Sequence, residues 1–143
     1  MRAREFAKPV ISVLPASTVG EAVRTMGQRG AILVVDENRQ LVGLISDEVL
    51  LRWLLPTYVQ TDEQLAGVLD ERTADLLFDR VKHRPVVELL HEAHHVPRVA
   101  GDDSLIEVAA LMLRTTSPLV AVVDENQLAG EIFRRDLLYH LVR

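Results

Sequence analysis

The chain contains the same sequence pattern twice. Segments 17–54 and 103–141 place similar residues in the same order, and the string VVDEN occurs in both, at 34–38 and at 122–126. The offset between matching positions stays between 86 and 88 residues, so the two copies differ only by short insertions in loops. A duplicated unit predicts two halves of the same fold that bury their apolar faces together. Other matching pairs are Thr18 and Ser104, Glu21 and Glu107, Met26 and Met112, and Gly43 and Gly130.

Each copy predicts the element order strand, helix, strand, strand, helix. A Ser or Thr followed three residues later by Glu opens an amphipathic stretch, which indicates a helix with a capping box. A continuous aliphatic run then predicts a buried strand, and a turn rich in Asp and Asn connects it to the next strand. A second helix begins at about Asp47 or Arg134. The predicted strands are 10–13, 31–35 and 41–46 in the first copy, and 96–99, 119–123 and 128–133 in the second.

The stretch between the two copies is polar and has helical spacing. Pro56 ends the last helix of the first copy, and Thr61 is predicted to begin another by the capping-box pattern. These signals divide the chain into a first repeat over 1–55, a helical linker over 56–84 and a second repeat over 85–143.

Composition excludes several functional classes. The net charge of −5 argues against a nucleic-acid partner, which requires a basic face. No cysteine is present, so disulfides and thiolate metal sites are excluded, as suits a reducing cytoplasm. The N-terminus lacks the apolar run of a signal peptide, and no apolar stretch approaches the roughly 18 residues of a membrane span. We therefore expect a cytoplasmic protein without nucleic-acid or membrane partners.

A zinc-peptidase pattern occurs once, in HEAHH at 91–95. In H-E-x-x-H helices, residues such as His91 and His95 bind zinc and one such as Glu92 activates the bound water. When the two copies are aligned, this segment matches residues 5–9, which precede the first strand. We therefore interpret it as a connecting segment that does not bind a metal. Adventitious zinc or nickel binding through the two histidines is the alternative. Candidates by residue type for a third ligand are His83, His140 and Glu107.

The doubled element order, the VVDE strand end and a turn of the form G-h-h-x-x-x-D, where h is apolar, resemble a pair of CBS domains, or Bateman module. The resemblance implies an α/β fold of two β-α-β-β-α repeats, packed sheet against sheet about a pseudo-twofold axis. It also implies homodimers of such modules. Family members bind adenosine-type ligands (AMP, ADP, ATP or S-adenosylmethionine) in clefts between the copies, and these ligands regulate an attached or associated protein. The implied protein is not an enzyme, needs no cofactor for chemistry and acts on an effector protein that the sequence does not name.

Both copies depart from the family pattern Gly-h-h-Ser/Thr-x-x-Asp. In that pattern the hydroxyl lies at a helix N-terminus, where free N–H groups favour a phosphate, and the Asp binds ribose hydroxyls. The first copy keeps the hydroxyl at Ser46 but has Val49 at the Asp position. The second copy keeps the acid at Asp136 but has Phe133 at the hydroxyl position. Two arginines beside Asp136 can replace the hydroxyl as phosphate partners.

The resemblance therefore implies a first cleft that binds ligand and a second that is weak or empty. We expect the first cleft to comprise Asp136, Arg134, Arg135, Phe133, Ile11, Gly30, Ala31, Pro118 and Leu119. We expect the second to comprise Ser46, Leu44, Val49 and Pro97.

Alternative interpretations stay open at several positions. Asp136 also suits the first turn of a helix for electrostatic reasons, the two arginines suit a solvated face, and Ser46 suits a helix N-cap. Phe133 can stack on a base or fill the cleft. If the clefts are closed, the protein is a scaffold for dimerisation or docking, and a metallohydrolase built on HEAHH is a remote third hypothesis.

Overall fold

The computed structural model describes residues 1–90 and 96–143, which form two three-stranded sheets with helices. The first copy and the segment before it contain α1 (Ala3–Phe6), β1 (Ser12–Val13), α2 (Val19–Met26), β2 (Ala31–Val35), β3 (Leu41–Ser46) and α3 (Asp47–Leu54). The linker contains α4 (Thr57–Thr61), a 3₁₀ turn at Glu63–Val68 and α5 (Glu71–Lys82), and a second 3₁₀ turn at Val86–Glu88 follows it. The second copy contains β4 (Arg98–Val99), α6 (Leu105–Thr115), β5 (Leu119–Asp124), β6 (Gln127–Phe133) and α7 (Arg134–Leu141).

The two sheets have the same topology, which confirms the predicted duplication. In each, the short first strand runs parallel to the middle strand, and the third strand pairs with the middle one antiparallel. The first strands, β1 and β4, are shorter than predicted. Val10 and Val96 contribute to the interface between the copies without pairing in a strand, so their apolarity reflects burial and not β-pairing.

The middle strands are apolar on both faces because both faces are buried. Alternate residues of a strand point to opposite sides. In β2, Ile32 and Val34 pack against the helices of their own copy. Leu33 faces the other way, into a central cluster shared by both copies. The two sheets therefore pack face to face, as the family resemblance implies. The central cluster comprises Ala31, Leu33, Val35, Val96, Leu119, Ala121, Leu128 and Phe133.

The segment before β1 packs on the second copy. The backbones of Lys8 and Glu131 exchange two hydrogen bonds, of 2.9 and 3.0 Å. The guanidinium of Arg4 pairs with Asp102 at 2.8 Å and with Asp124 at 3.3 Å. The N-terminal segment thus precedes β1 of the first copy in sequence but packs against the second copy.

The predicted helix caps were correct in the copies and wrong in the linker. Thr18 and Ser104 both form complete capping boxes. Thr61 instead ends α4, and Asp62 caps the following turn by accepting a 3.0 Å hydrogen bond from the Gln64 N–H. Asp is at least as good an N-cap residue as Thr. The 3₁₀ turn therefore begins after Asp62, one residue later than the predicted cap at Thr61. Within the described ranges, no helix is long and apolar enough to cross a membrane.

Candidate functional site

A cavity of about 450 Å³ lies between the two copies, beside the N-terminal segment. Its volume is within the usual range for small-molecule sites. We call it the Glu131 cavity. Its lining residues are Lys8, Pro9, Ile11, Gln28, Arg29, Glu131, Phe133, Arg135 and Asp136.

Three separate stretches of the chain bring these side chains together. Lys8 comes from the N-terminal segment and Arg29 from the 3₁₀ turn after α2. Glu131 and Phe133 are two residues apart on β6, so they point to the same side of the sheet. Asp136 lies in the first turn of α7. No single stretch of sequence could reveal this combination.

Asp136 is accessible and already has a cationic partner. Its carboxylate lies 2.8 Å from the Lys8 ammonium, and the two side chains are 35% and 62% exposed. An ion pair this exposed contributes little to stability, about 0–1 kcal/mol, because water and salt screen it. A ligand hydroxyl can therefore share or replace the Lys8 contact at small cost.

Glu131 is the buried acid of the cavity, with 1% of its surface exposed. Its Oε2 accepts a 3.2 Å hydrogen bond from the Ile11 N–H and lies 3.6 Å from the Arg29 guanidinium. Its Oε1 is buried and has no hydrogen-bond partner among the residues that the structure describes. Burial raises the pKa of Glu131, while the Ile11 hydrogen bond and the charge of Arg29 act in the opposite direction.

Sequence reasoning did not single out Glu131, although a signal was present. The apolar strand LAGEIF contains one acid, and the matching position of the first copy is Leu44. Comparison of the copies along the strands, and not only at the motif positions, would have identified it.

Phe133 belongs mainly to the core. It is 7% exposed, and the Arg29 guanidinium lies 5.7 Å from its ring centroid in a cation–π arrangement. Stacking of a base on this ring would require Arg29 to move. The cavity nevertheless remains beside Phe133, so the ring does not fill it.

A second cavity, of about 490 Å³, adjoins the first at the N-termini of α3 and α7. We call it the helix-end cavity. Arg29, Phe133 and Arg135 line both cavities. Three residues expected in the first cleft line the helix-end cavity and not the Glu131 cavity: Gly30, Pro118 and Arg134.

The remaining residues expected in the first cleft divide into two groups. Ile11, Phe133, Arg135 and Asp136 all line the Glu131 cavity. Ala31 and Leu119 are fully buried in the central cluster and line neither cavity. Both are the first residues of middle strands, and their side chains point into the interface between the sheets.

The second cleft is only partly described. Ser46 lines the helix-end cavity, and its hydroxyl accepts a 3.2 Å hydrogen bond from the Val49 N–H, so it acts as a helix N-cap. Leu44 packs against the central cluster and Pro97 is buried. The counterparts of Lys8 and Pro9 in the second copy are residues 94 and 95, which lie outside the described residues.

The HEAHH segment, with His91, Glu92 and His95, also lies outside the described residues. The three residues considered as a further ligand have other contacts. The His83 ring lies 3.8 Å from Asp79, and the His140 ring lies 5.1 Å from that of Phe6. Glu107 closes the capping box of Ser104.

Replacement of Glu131 by glutamine should stabilise the protein at neutral pH. An acid whose pKa is raised by folding costs stability above its unfolded pKa, and this cost disappears as the pH falls below that value. We expect E131Q to have a free energy of unfolding about 1 kcal/mol higher than the parent at pH 7, because burial of a neutral amide costs less than burial of a carboxylate. The difference should vanish near pH 4, where glutamate in the unfolded chain becomes protonated.

Urea unfolding at both pH values measures this effect, with the exposed Glu37→Gln as the control that removes the same charge. A less stable E131Q at pH 7 would show instead that the Arg29 contact outweighs desolvation.

Comparisons with known proteins agree on one family. The CBS domain model matches residues 3–56 and 81–143. A CBS domain-containing protein of unknown function from Kribbella flavida is 35% identical, with 100% of this chain and 99% of that chain covered and a TM-score of 0.80. The CBS domain of a CBS domain-containing membrane protein from Sphaerobacter thermophilus is 26% identical, with 97% and 86% covered and a TM-score of 0.70. CBSX2 in complex with AMP is 22% identical, with 99% and 96% covered and a TM-score of 0.70. No curated protein matches the chain.

Proposed function

The chain belongs to the CBS-domain family, and we propose that it is a regulatory CBS-pair module that binds an adenosine-type ligand in the Glu131 cavity. One observation carries the proposal. The cavity between the copies brings Asp136 and Arg135 together with Lys8 and Arg29 from the other side. A nucleotide needs such a combination: a carboxylate for its ribose hydroxyls and cations for its phosphate.

The charges of the cavity favour an anionic ligand. Lys8, Arg29 and Arg135 supply three positive charges, and Glu131 and Asp136 supply at most two negative ones. Charge-assisted hydrogen bonds from such cations to phosphate are roughly twice as strong as neutral ones. The phosphate therefore belongs near the arginines, with the ribose at Asp136.

The N-terminus of α7 provides further donors. Phe133, at the N-cap position, makes no side-chain capping bond, whereas Ser46 caps the corresponding helix α3. The first-turn N–H groups of α7 therefore have no hydroxyl to bind, and the helix dipole favours an anion at that end. The Arg134 N–H donates to the Pro118 carbonyl oxygen at 2.8 Å, so loss of the family hydroxyl leaves the later N–H groups of this turn for a phosphate, with the side chains of Arg134 and Arg135 beside them.

The fold is compatible with such a ligand, since CBSX2, a protein of the same fold, has been solved with AMP. The first copy lacks both acids, with Leu44 and Val49 at the positions of Glu131 and Asp136. We therefore expect one high-affinity ligand per chain. The bound ligand would regulate an effector protein, and the module itself would perform no catalysis.

Replacement of Asp136 by alanine should weaken binding of AMP about 10- to 100-fold, because a charged acceptor for the ribose hydroxyls is lost. Isothermal titration calorimetry of the purified chain with AMP, ADP, ATP and S-adenosylmethionine measures the affinity and the stoichiometry. Asp75→Ala is the matched control, since it removes the same charge from an exposed position on α5 that lines neither cavity. Absence of binding by all four ligands at millimolar concentration would contradict the proposal, as would equal affinities of D136A and the parent.

A scaffold function is the second candidate, and the exposed apolar side chains of α6 and α7 favour it. Leu113 is 82% exposed and Ile106 is 70% exposed on α6, with Tyr139 at 65% on α7. Such a surface suits homodimerisation or docking of an effector protein. A dimer that persists at micromolar concentration and ignores all four ligands would support this function in place of ligand sensing.

A further inference from the structure

We propose that Glu131 recognises the exocyclic 6-amino group of the bound purine, so that the cavity selects adenine over 6-oxo purines. The inference rests on the proposed function and specifies it, because it assigns the base to a residue outside the ribose and phosphate motif. Glu131 lies on β6, two residues before the motif position Phe133.

The geometry of Glu131 leaves one atom for a ligand. Its Oε2 accepts from the Ile11 N–H at 3.2 Å, and Arg29 lies 3.6 Å from the same oxygen. Oε1 is buried without a hydrogen-bond partner in the described part of the chain, on a side chain that lines the cavity. Buried polar atoms are nearly always hydrogen-bonded in native proteins, so an unsatisfied acceptor on a side chain that lines a cavity indicates a donor on the ligand, which rotation of the carboxylate would bring within reach.

The charge balance indicates a neutral donor. Arg29 already compensates the carboxylate, and its guanidinium is held in place by the Phe133 ring and by the Thr25 carbonyl oxygen at 3.1 Å. What Oε1 lacks is therefore a hydrogen bond and not a counter-charge. The amino group of adenine provides a neutral N–H, whereas the 6-oxo group of hypoxanthine provides only an acceptor and would face Oε1 unfavourably.

The first copy shows that the fold does not require an acid at this position. Leu44 occupies the matching place on β3, opposite Leu33 on the middle strand. Glu131 lies opposite Ala121, a smaller side chain that leaves room beside it. The same strand pairing thus forms with a leucine in one copy and a buried carboxylate in the other. A buried carboxylate is costly in a core position, so its presence in one copy alone points to a role in binding.

The two acids also suit the two ends of a nucleoside. Asp136 is 35% exposed in the first turn of α7, while Glu131 is 1% exposed on the strand. Both line the same cavity. A nucleoside whose ribose binds Asp136 would place its base toward Glu131.

Calorimetric titration of AMP and IMP into the parent protein, E131Q and E131L tests the inference. The parent should bind AMP about 10- to 100-fold more tightly than IMP, the effect expected of one hydrogen bond to a charged acceptor. E131Q should reduce this ratio to about one or reverse it, because the glutamine amide can donate to the 6-oxo group. E131L reproduces the leucine of the first copy and should abolish discrimination while the chain stays folded.

The outcomes separate the two proposals. Equal binding of AMP and IMP by the parent would overturn the role of Glu131 and leave the adenosine site standing. An AMP preference that survives in both E131Q and E131L would also overturn the role of Glu131 and leave the adenosine site standing. Tighter binding of GMP than of AMP would overturn the adenine assignment, and absence of binding by any nucleotide would overturn the proposed function together with the inference.

Discussion

Replacement of Leu33 by alanine will lower the free energy of unfolding by about 2–5 kcal/mol, the usual cost of removing a buried leucine side chain. Leu33 is fully buried at the centre of β2, and its side chain belongs to the cluster that joins the two sheets. The cavity left by the substitution cannot close readily, because both neighbouring layers are strands fixed by their own hydrogen bonds. The loss should also be cooperative, with both copies unfolding in one transition.

Equilibrium unfolding in urea, followed by circular dichroism, measures this loss. Leu76→Ala is the matched control, since Leu76 is 63% exposed on α5 and its loss should change stability by no more than about 0.5 kcal/mol. Two separate transitions in the parent, or a cost for L33A below about 1 kcal/mol, would show that the interface between the sheets contributes little.

The sequence was sufficient to predict most elements of the two copies, because those depend on local pattern. The runs AILVV and LVAVV are aliphatic at every position, and their five-residue length and content of β-branched Val and Ile favour a strand buried on both faces. The capping boxes at Thr18 and Ser104 fixed the helix starts within one residue. The duplication then implied that two such sheets face each other.

The composition of the site could be predicted only in part, because it depends on contacts between distant segments. Asp136, Arg135 and Phe133 follow from the motif, and all three line the Glu131 cavity. Lys8 and Arg29 do not follow from it, because the segment around Lys8 precedes the first copy in sequence but pairs with β6 of the second. Charged residues in an irregular segment carry no periodicity, so no pattern assigned them to a wall of the cavity.

The prediction of Ala31 and Leu119 as lining residues shows a different limit. The family resemblance predicts a cleft at the start of the middle strands. Gly30 and Pro118, which immediately precede these strands, line the helix-end cavity. Ala31 and Leu119, the first strand residues, are fully buried between the sheets. The sequence predicts where a residue lies along a strand more readily than whether its side chain lines a cavity or packs in the core.

Replacement of Gly130 by alanine will detach the N-terminal segment from the second copy and weaken ligand binding. A Cβ at this position would lie 2.8 Å from the Ala7 Cβ and 3.1 Å from the Lys8 carbonyl oxygen, and neither atom can rotate away. Overpacking of this kind costs about 1–3 kcal/mol. The segment carries Lys8 and Pro9, which line the cavity, so its displacement removes one wall of the site.

Gly43, the matching glycine of the first copy, supplies the control. A Cβ there would lie 3.1 Å from the Leu90 Cδ2, the end of a flexible side chain that can change rotamer. We therefore expect G43A to be near neutral. We expect G130A to lose stability, to be cleaved faster by trypsin after Arg2 and Arg4, and to bind AMP at least about tenfold more weakly. Equal behaviour of the two variants would show that the N-terminal segment does not depend on close approach to Gly130. Selective damage by G130A would instead show that the site is completed by a segment lying outside the repeat on which it packs. Lys8 is the residue that links the two effects, because its ammonium pairs with Asp136 in the cavity and its backbone pairs with Glu131 on β6.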